Sequence, residues 1–139
     1  SPVYAFLEAV LDLQRYIRPV EGVLLCYHRP LKNLLTAPYL QERNPAFVRE
    51  LMHQIIEQNL IYVPLSELQQ GGVFFQQLFQ QVDAKDLFSY LSQVIQSLAE
   101  GIQEDALQRS YLYQSYFGLG SGAVYSAFQA GFSGSQIAV

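Results

Sequence analysis

From Ser110 to Val139 the chain has no Lys, Arg, Asp or Glu, a run of thirty residues. Soluble elements normally coat at least one face with such groups. The stretch is therefore expected to lie buried, against a partner or a second copy, or in lipid. Charge is thin elsewhere as well: charged residues make up 14% of the chain, against roughly a quarter in typical domains. Phosphate-backbone binding rests on many basic contacts. Eight Lys and Arg against twelve Asp and Glu offer few, so nucleic acid is not an expected partner. Cys26 stands alone, which excludes an intramolecular disulfide and a Cys-based zinc cluster and fits a reducing, cytoplasmic setting. The opening Ser-Pro-Val-Tyr-Ala-Phe-Leu-Glu lacks a basic region followed by an apolar core, so no signal peptide is read there.

What fills the space is apolar residues, at 50%, and glutamine, with pairs at Gln69-Gln70, Gln76-Gln77 and Gln80-Gln81. Glutamine solubilises by hydrogen bonding without repelling its like, so a glutamine face tolerates contact with protein. The net charge of −4 falls entirely on residues 66–139, residues 1–65 being balanced. At 139 residues the chain is expected to be a single domain.

Helical spacing dominates the pattern. Ser1-Pro2 is a hydroxyl cap with proline at the first helical position, and Val3, Phe6, Leu7, Val10, Leu13 and Ile17 recur at helical spacing up to Pro19. Asn44-Pro45 repeats the start signal ahead of Phe47, Val48, Leu51, Met52, Ile55 and Ile56. The run from Gly71 to Val82 predicts an amphipathic helix with an aromatic face and a glutamine face. Asp83 opens another, with Leu87, Tyr90, Leu91, Val94, Ile95 and Leu98 in its stripe and Gly101 as its stop. Residues 103–117 and 121–132 read as two more, divided by Gly118-Leu119-Gly120. The expected fold is all-α, a single domain of about six to seven helices. The alternative is α+β, with a small two-stranded element near residues 22–27 and 60–64 flanking the 45–59 helix as in a βαβ unit.

Several constellations raise chemistry. Glu50, His53 and Glu57 have the helical spacing of a carboxylate-imidazole metal site, but the second half such a site needs is missing. Cys26 and His28 would share a face in a strand, without a third residue to orient the base; either histidine is a formal haem ligand. Arg15, Arg18, His28, Arg29 and Lys32, with Tyr16 and Tyr27 interleaved, mark a small anion-binding or acidic-partner patch, or arginines lying over apolar neighbours. Gly118-Leu-Gly-Ser-Gly122 lacks the Lys-Ser/Thr of a phosphate loop. In the uncharged tail Gly118, Gly122, Ser126 and Ala130 form a small-xxx-small stripe that permits close helix approach. Ser121, Ser126, Gln129, Ser133 and Ser135 interrupt it well short of the roughly twenty apolar residues of a membrane span.

The expected function is a non-enzymatic protein-interaction, adaptor or scaffold domain in the cytoplasm, without a cofactor. It is expected to bind a protein partner or itself, as a homo-oligomer and most simply a dimer. The contact residues would be Phe74, Phe75, Leu78, Phe79, Gly118, Gly122, Ser126 and Ala130. The alternative is a helical domain binding an apolar small molecule (a lipid, pigment or tetrapyrrole) among its nineteen Phe and Tyr residues.

Overall fold

A computed structural model describes residues 1–101. They fall in two compact units: Pro2–Leu91, and a second to which Ser1 and residues 92–101 belong. In that second unit the described residues 92–101 are helical, with Val94 and Leu98 buried.

The unit Pro2–Leu91 starts as its sequence dictates. Helix α1 runs Pro2–Arg15 and buries Val3, Phe6, Leu7, Val10 and Leu13. It stops at Arg15 because Pro19 lies ahead: the residue before a proline is pushed out of the helical region, and proline itself has no N–H to give a helix. The chain then enters strand β1, Ile17–Val20, turns, and returns as β2, Val23–Tyr27, with Ile17 opposite Cys26 and Val20 opposite Val23. Glu21 and Gly22 form the two-residue turn with φ of 51° and 80°. Positive φ at both positions is what a tight hairpin demands, and a glycine at the second removes the steric cost there. Strand β3, Tyr62–Pro64, pairs antiparallel with the other edge of β2, Cys26 facing Val63 and Tyr27 facing Tyr62.

The fold is thus mixed α+β, and the all-α expectation is corrected. The stated alternative comes close but is corrected in two respects: the sheet has three strands, and its pairings are antiparallel where a βαβ unit would make them parallel. Ile17 sits at a helical spacing from Leu13, yet a strand buries it equally well, and that degeneracy hid β1.

Helices α2, His28–Leu35, and α3, Pro38–Gln41, lead to α4, Pro45–Glu57. Asn44 caps α4 as its sequence predicts: its Oδ1 accepts from Phe47 N–H at 3.2 Å, while its Nδ2 donates to Gly71 O at 2.9 Å. Leu31, Leu34 and Leu35 of α2 are fully buried, with α1 on one side and α4 on another. Ile56, placed in the predicted apolar stripe of α4, is 61% exposed instead.

After β3 come α5, Leu65–Leu68, a 3-10 turn at Gln69–Gly71, and α6, Val73–Leu78. The helix predicted from Gly71 to Val82 is half that length. Glutamine amides take over beyond it, Gln69 Nε2 donating to Phe79 O at 2.8 Å and Gln80 Nε2 to Gln77 O at 2.8 Å. Gln14 of α1 reaches the same segment, donating to Gln80 O and accepting from Val82 N–H. The expected glutamine face is therefore partly spent on the protein's own backbone. A second 3-10 turn, Ala84–Asp86, leads into helical residues 87–101, and Gly101 is itself helical rather than a stop.

Candidate functional site

Pairing register sorts the sheet residues onto two faces, since neighbours along a strand point opposite ways and directly paired residues point the same way. Ile17, Cys26 and Val63 share one face and are all buried. Arg18, Val20, Val23, Leu25, Tyr27, Tyr62 and Pro64 share the other, and none of them is buried. This outer face ends at the hairpin tip with Val20 and Val23, 45% and 47% exposed.

At the opposite end of that face lies a hollow of about 510 Å³ lined by Arg15, Tyr16, Arg18, Tyr27 and Tyr62. Its rings form a row: Tyr16 and Tyr27 lie 5.8 Å apart by centroid, and Tyr27 and Tyr62 lie 5.7 Å apart. Arg18 Cζ sits 4.7 Å from the Tyr62 ring centroid, a cation–π contact that holds the guanidinium in place. Arg15, at the end of α1, is largely exposed and lies 3.9 Å from Asp12. His28 packs its ring edge against Tyr27 at 4.8 Å. Desolvation, reinforced by the Lys32 and Arg29 charges, holds its imidazole below the usual range.

Such a surface can grip carboxylates through its arginines and lay rings or aliphatic chains on its tyrosines. Of the basic-aromatic patch read from the sequence, the structure brings Arg15, Arg18, Tyr16 and Tyr27 into the hollow. Tyr62 joins them from β3, a residue whose role only the strand pairing could reveal.

The other sequence candidates separate. Phe74, Phe75, Leu78 and Phe79, expected as contact residues, have exposures of 8%, 1%, 0% and 0%, so they serve the core and not a surface. Phe75 packs edge-on to Phe47 of α4 at 5.2 Å and stacks on Phe79 at 6.1 Å, geometries that aromatic rings favour in a core. Gly118, Gly122, Ser126 and Ala130 lie outside the described residues.

Cys26 is buried, donates weakly to Tyr27 O at 3.5 Å, and burial pushes its thiol up to about 12. A thiol so held stays protonated near neutrality and is a poor nucleophile. Glu50, His53 and Glu57 stand on the solvent side of α4, where Gln54 donates to Glu50 Oε1 at 3.4 Å. Among the described residues no group of three or more His, Cys, Asp or Glu comes together to hold a metal ion. No helix among them is long and apolar enough to cross a membrane.

A second hollow, also about 510 Å³, has Ala5, Phe6, Ala9, Asn33, Tyr39 and Glu42 among its lining residues. Phe6 and Tyr39 meet there edge to face at 5.6 Å.

No protein-family model, curated protein or solved structure matches this chain.

Proposed function

We propose that this chain is a non-enzymatic protein-interaction domain whose docking surface is the outer face of the β1–β2–β3 sheet. The observation that carries this reading is the partly exposed row of Tyr16, Tyr27 and Tyr62 with Arg18 fixed on Tyr62. Tyrosine and arginine are, with tryptophan, the residues most enriched at energetic centres of protein interfaces, because each joins a broad apolar body to directional hydrogen bonding. In the source cell, a photo-crosslinking residue at position 16 gives a discrete protein adduct, while the same residue at exposed position 54 of α4 does not. Equal, diffuse labelling from both positions would defeat the reading.

Self-association belongs to the same proposal and rests on the thirty uncharged residues 110–139. Light scattering at tens of micromolar reports a homo-oligomer, and a strict monomer would remove that part.

A second reading, an apolar small-molecule carrier, is favoured by one observation: the hollow around Phe6 and Tyr39, whose volume lies within the roughly 300–1,000 Å³ of ligand sites. Native mass spectrometry of the purified protein showing a bound lipid or pigment would support it.

A further inference from the structure

Resting on the outer sheet face as a docking surface, we propose that the Arg15–Arg18–tyrosine hollow binds an acidic peptide segment. Its carboxylates pair with the two guanidiniums, and an adjoining aromatic or proline ring lies on the row Tyr16, Tyr27, Tyr62.

The argument starts from charge. Residues 12–32 hold Arg15, Arg18, Arg29 and Lys32 against Asp12 and Glu21, a locally basic stretch in a chain of net charge −4. Arg18 meets no carboxylate among the described residues; its partner is the Tyr62 ring. Arg15 has Asp12 only at 3.9 Å, with side-chain exposures of 75% and 46%, a contact that a better-placed carboxylate displaces at little cost. Two arginines with spare N–H groups beside an open hollow are complementary to carboxylates.

Shape then selects the class of ligand. Three rings spaced 5.8 and 5.7 Å apart make a row longer than one small anion covers. The strip continues past Leu25 to the exposed Val20 and Val23 at the hairpin tip, a direction in which an extended segment can lie. Single-stranded nucleic acid also stacks on tyrosines beside arginines. It needs a basic groove along its backbone, however, and four cations in an acidic chain do not supply one.

Fluorescence polarisation decides the matter. The Glu-Tyr probe is a fluorescein-labelled decapeptide of Glu-Glu-Tyr-Tyr repeats, so that an extended chain presents both residue types on one face; the matching Gln-Tyr decapeptide and a short oligothymidylate are comparators. The Glu-Tyr peptide binds, and the Gln-Tyr peptide binds at least about tenfold more weakly, as expected of charge-assisted pairs. Arg18→Glu and Arg15→Glu each weaken the Glu-Tyr peptide by about tenfold, with far-UV circular dichroism unchanged. Raising salt from about 0.05 M to about 0.5 M weakens binding to the unaltered protein, a test that needs no folded variant.

No Glu-Tyr binding, equal Gln-Tyr binding, salt-insensitive binding, or tighter binding of oligothymidylate overturns the proposal. A discrete adduct from position 16 together with failure of the Glu-Tyr peptide defeats the acidic ligand alone. Glu-Tyr binding without any adduct defeats the interaction-domain reading and leaves the site intact.

Discussion

The two faces of one small sheet stand in contrast: one is sunk in the core and the other is not. On the inner face Ile17, Cys26 and Val63 are 7%, 0% and 2% exposed, and none carries a charge. On the outer face their immediate neighbours differ: Arg18 is exposed, Tyr27 and Tyr62 are half-buried, and the three touch one another through rings and a guanidinium. A shift of one residue in register would exchange the two sets. The inner face secures the register by burying three apolar side chains, and the outer face is thereby free to carry residues chosen for something other than stability.

The largest effect in breaking that contrast comes from putting a charge on the inner face. Val63→Asp buries an unpaired carboxylate and is expected to cost several kcal/mol, about 3–5, in urea unfolding. Stability returns in part as the pH falls and the carboxyl takes up a proton. A loss under about 1 kcal/mol would mean that the inner face is not core.

Next comes overpacking of the aromatic cluster elsewhere in the same unit. A Cβ on Gly71 would stand 2.5 Å from Phe75 Cγ and 2.8 Å from Phe47 Cδ2. Gly71→Ala is expected to lower stability by about 1–3 kcal/mol, seen as a lower melting temperature. An unchanged melt would show that Phe75 has room to move aside.

Alkaline pH separates buried from exposed groups without mutation. Burial raises the Cys26 thiol from 9.0 to about 12 and the Tyr90 hydroxyl from 10.0 to about 12, the latter donating to Leu78 O at 2.5 Å while a hydrogen bond with Gln14 offsets part of its rise. Both groups are neutral when protonated, so the unfolded chain ionises first. The stability tied to them is whole below pH 9.0 for Cys26 and below 10.0 for Tyr90, and is lost as the pH climbs towards about 12. The slope is at most about 1.4 kcal/mol per pH unit for each group. Cys26→Ala should remove the earlier part of the decline and Tyr90→Phe the later part, as measured by urea unfolding from pH 8 upward. A flat profile in the unaltered protein would contradict the burial of both.

The smallest effect on stability belongs to the outer face. Arg18→Ala and Tyr62→Phe should each cost about 1 kcal/mol or less, because an exposed cation–π contact is worth only about 0.5–1 kcal/mol and a phenylalanine ring still packs on Tyr27. If either change unfolds the protein, the outer face is structural and the comparison collapses.

Much of the helical framework was legible. The proline at the start of α1, the Asn44-Pro45 cap of α4, and the Tyr90, Val94 and Leu98 stripe all stand where local chemistry puts them. Each rests on neighbours within four residues, which is the range over which a helix satisfies its own backbone. The candidate site was half legible: Arg15, Tyr16, Arg18 and Tyr27 lie close in sequence, and their mix of charge and rings is visible by inspection.

Three things waited for the tertiary structure. Strand β1 was concealed because Ile17 satisfies helical and strand periodicity alike. The apolar row Phe74, Phe75, Leu78 and Phe79 reads the same in sequence whether its face meets a partner or, as found, the protein's own core. Tyr62 entered the site only through its pairing with Tyr27, thirty-five positions away. The sequence by itself determined where the chain could be helical and which side chains could carry charge or rings. Which apolar surfaces are consumed inside the unit, and which polar ones are gathered outside it, was decided by strand pairing and packing, because those depend on contacts between residues far apart that no local pattern encodes.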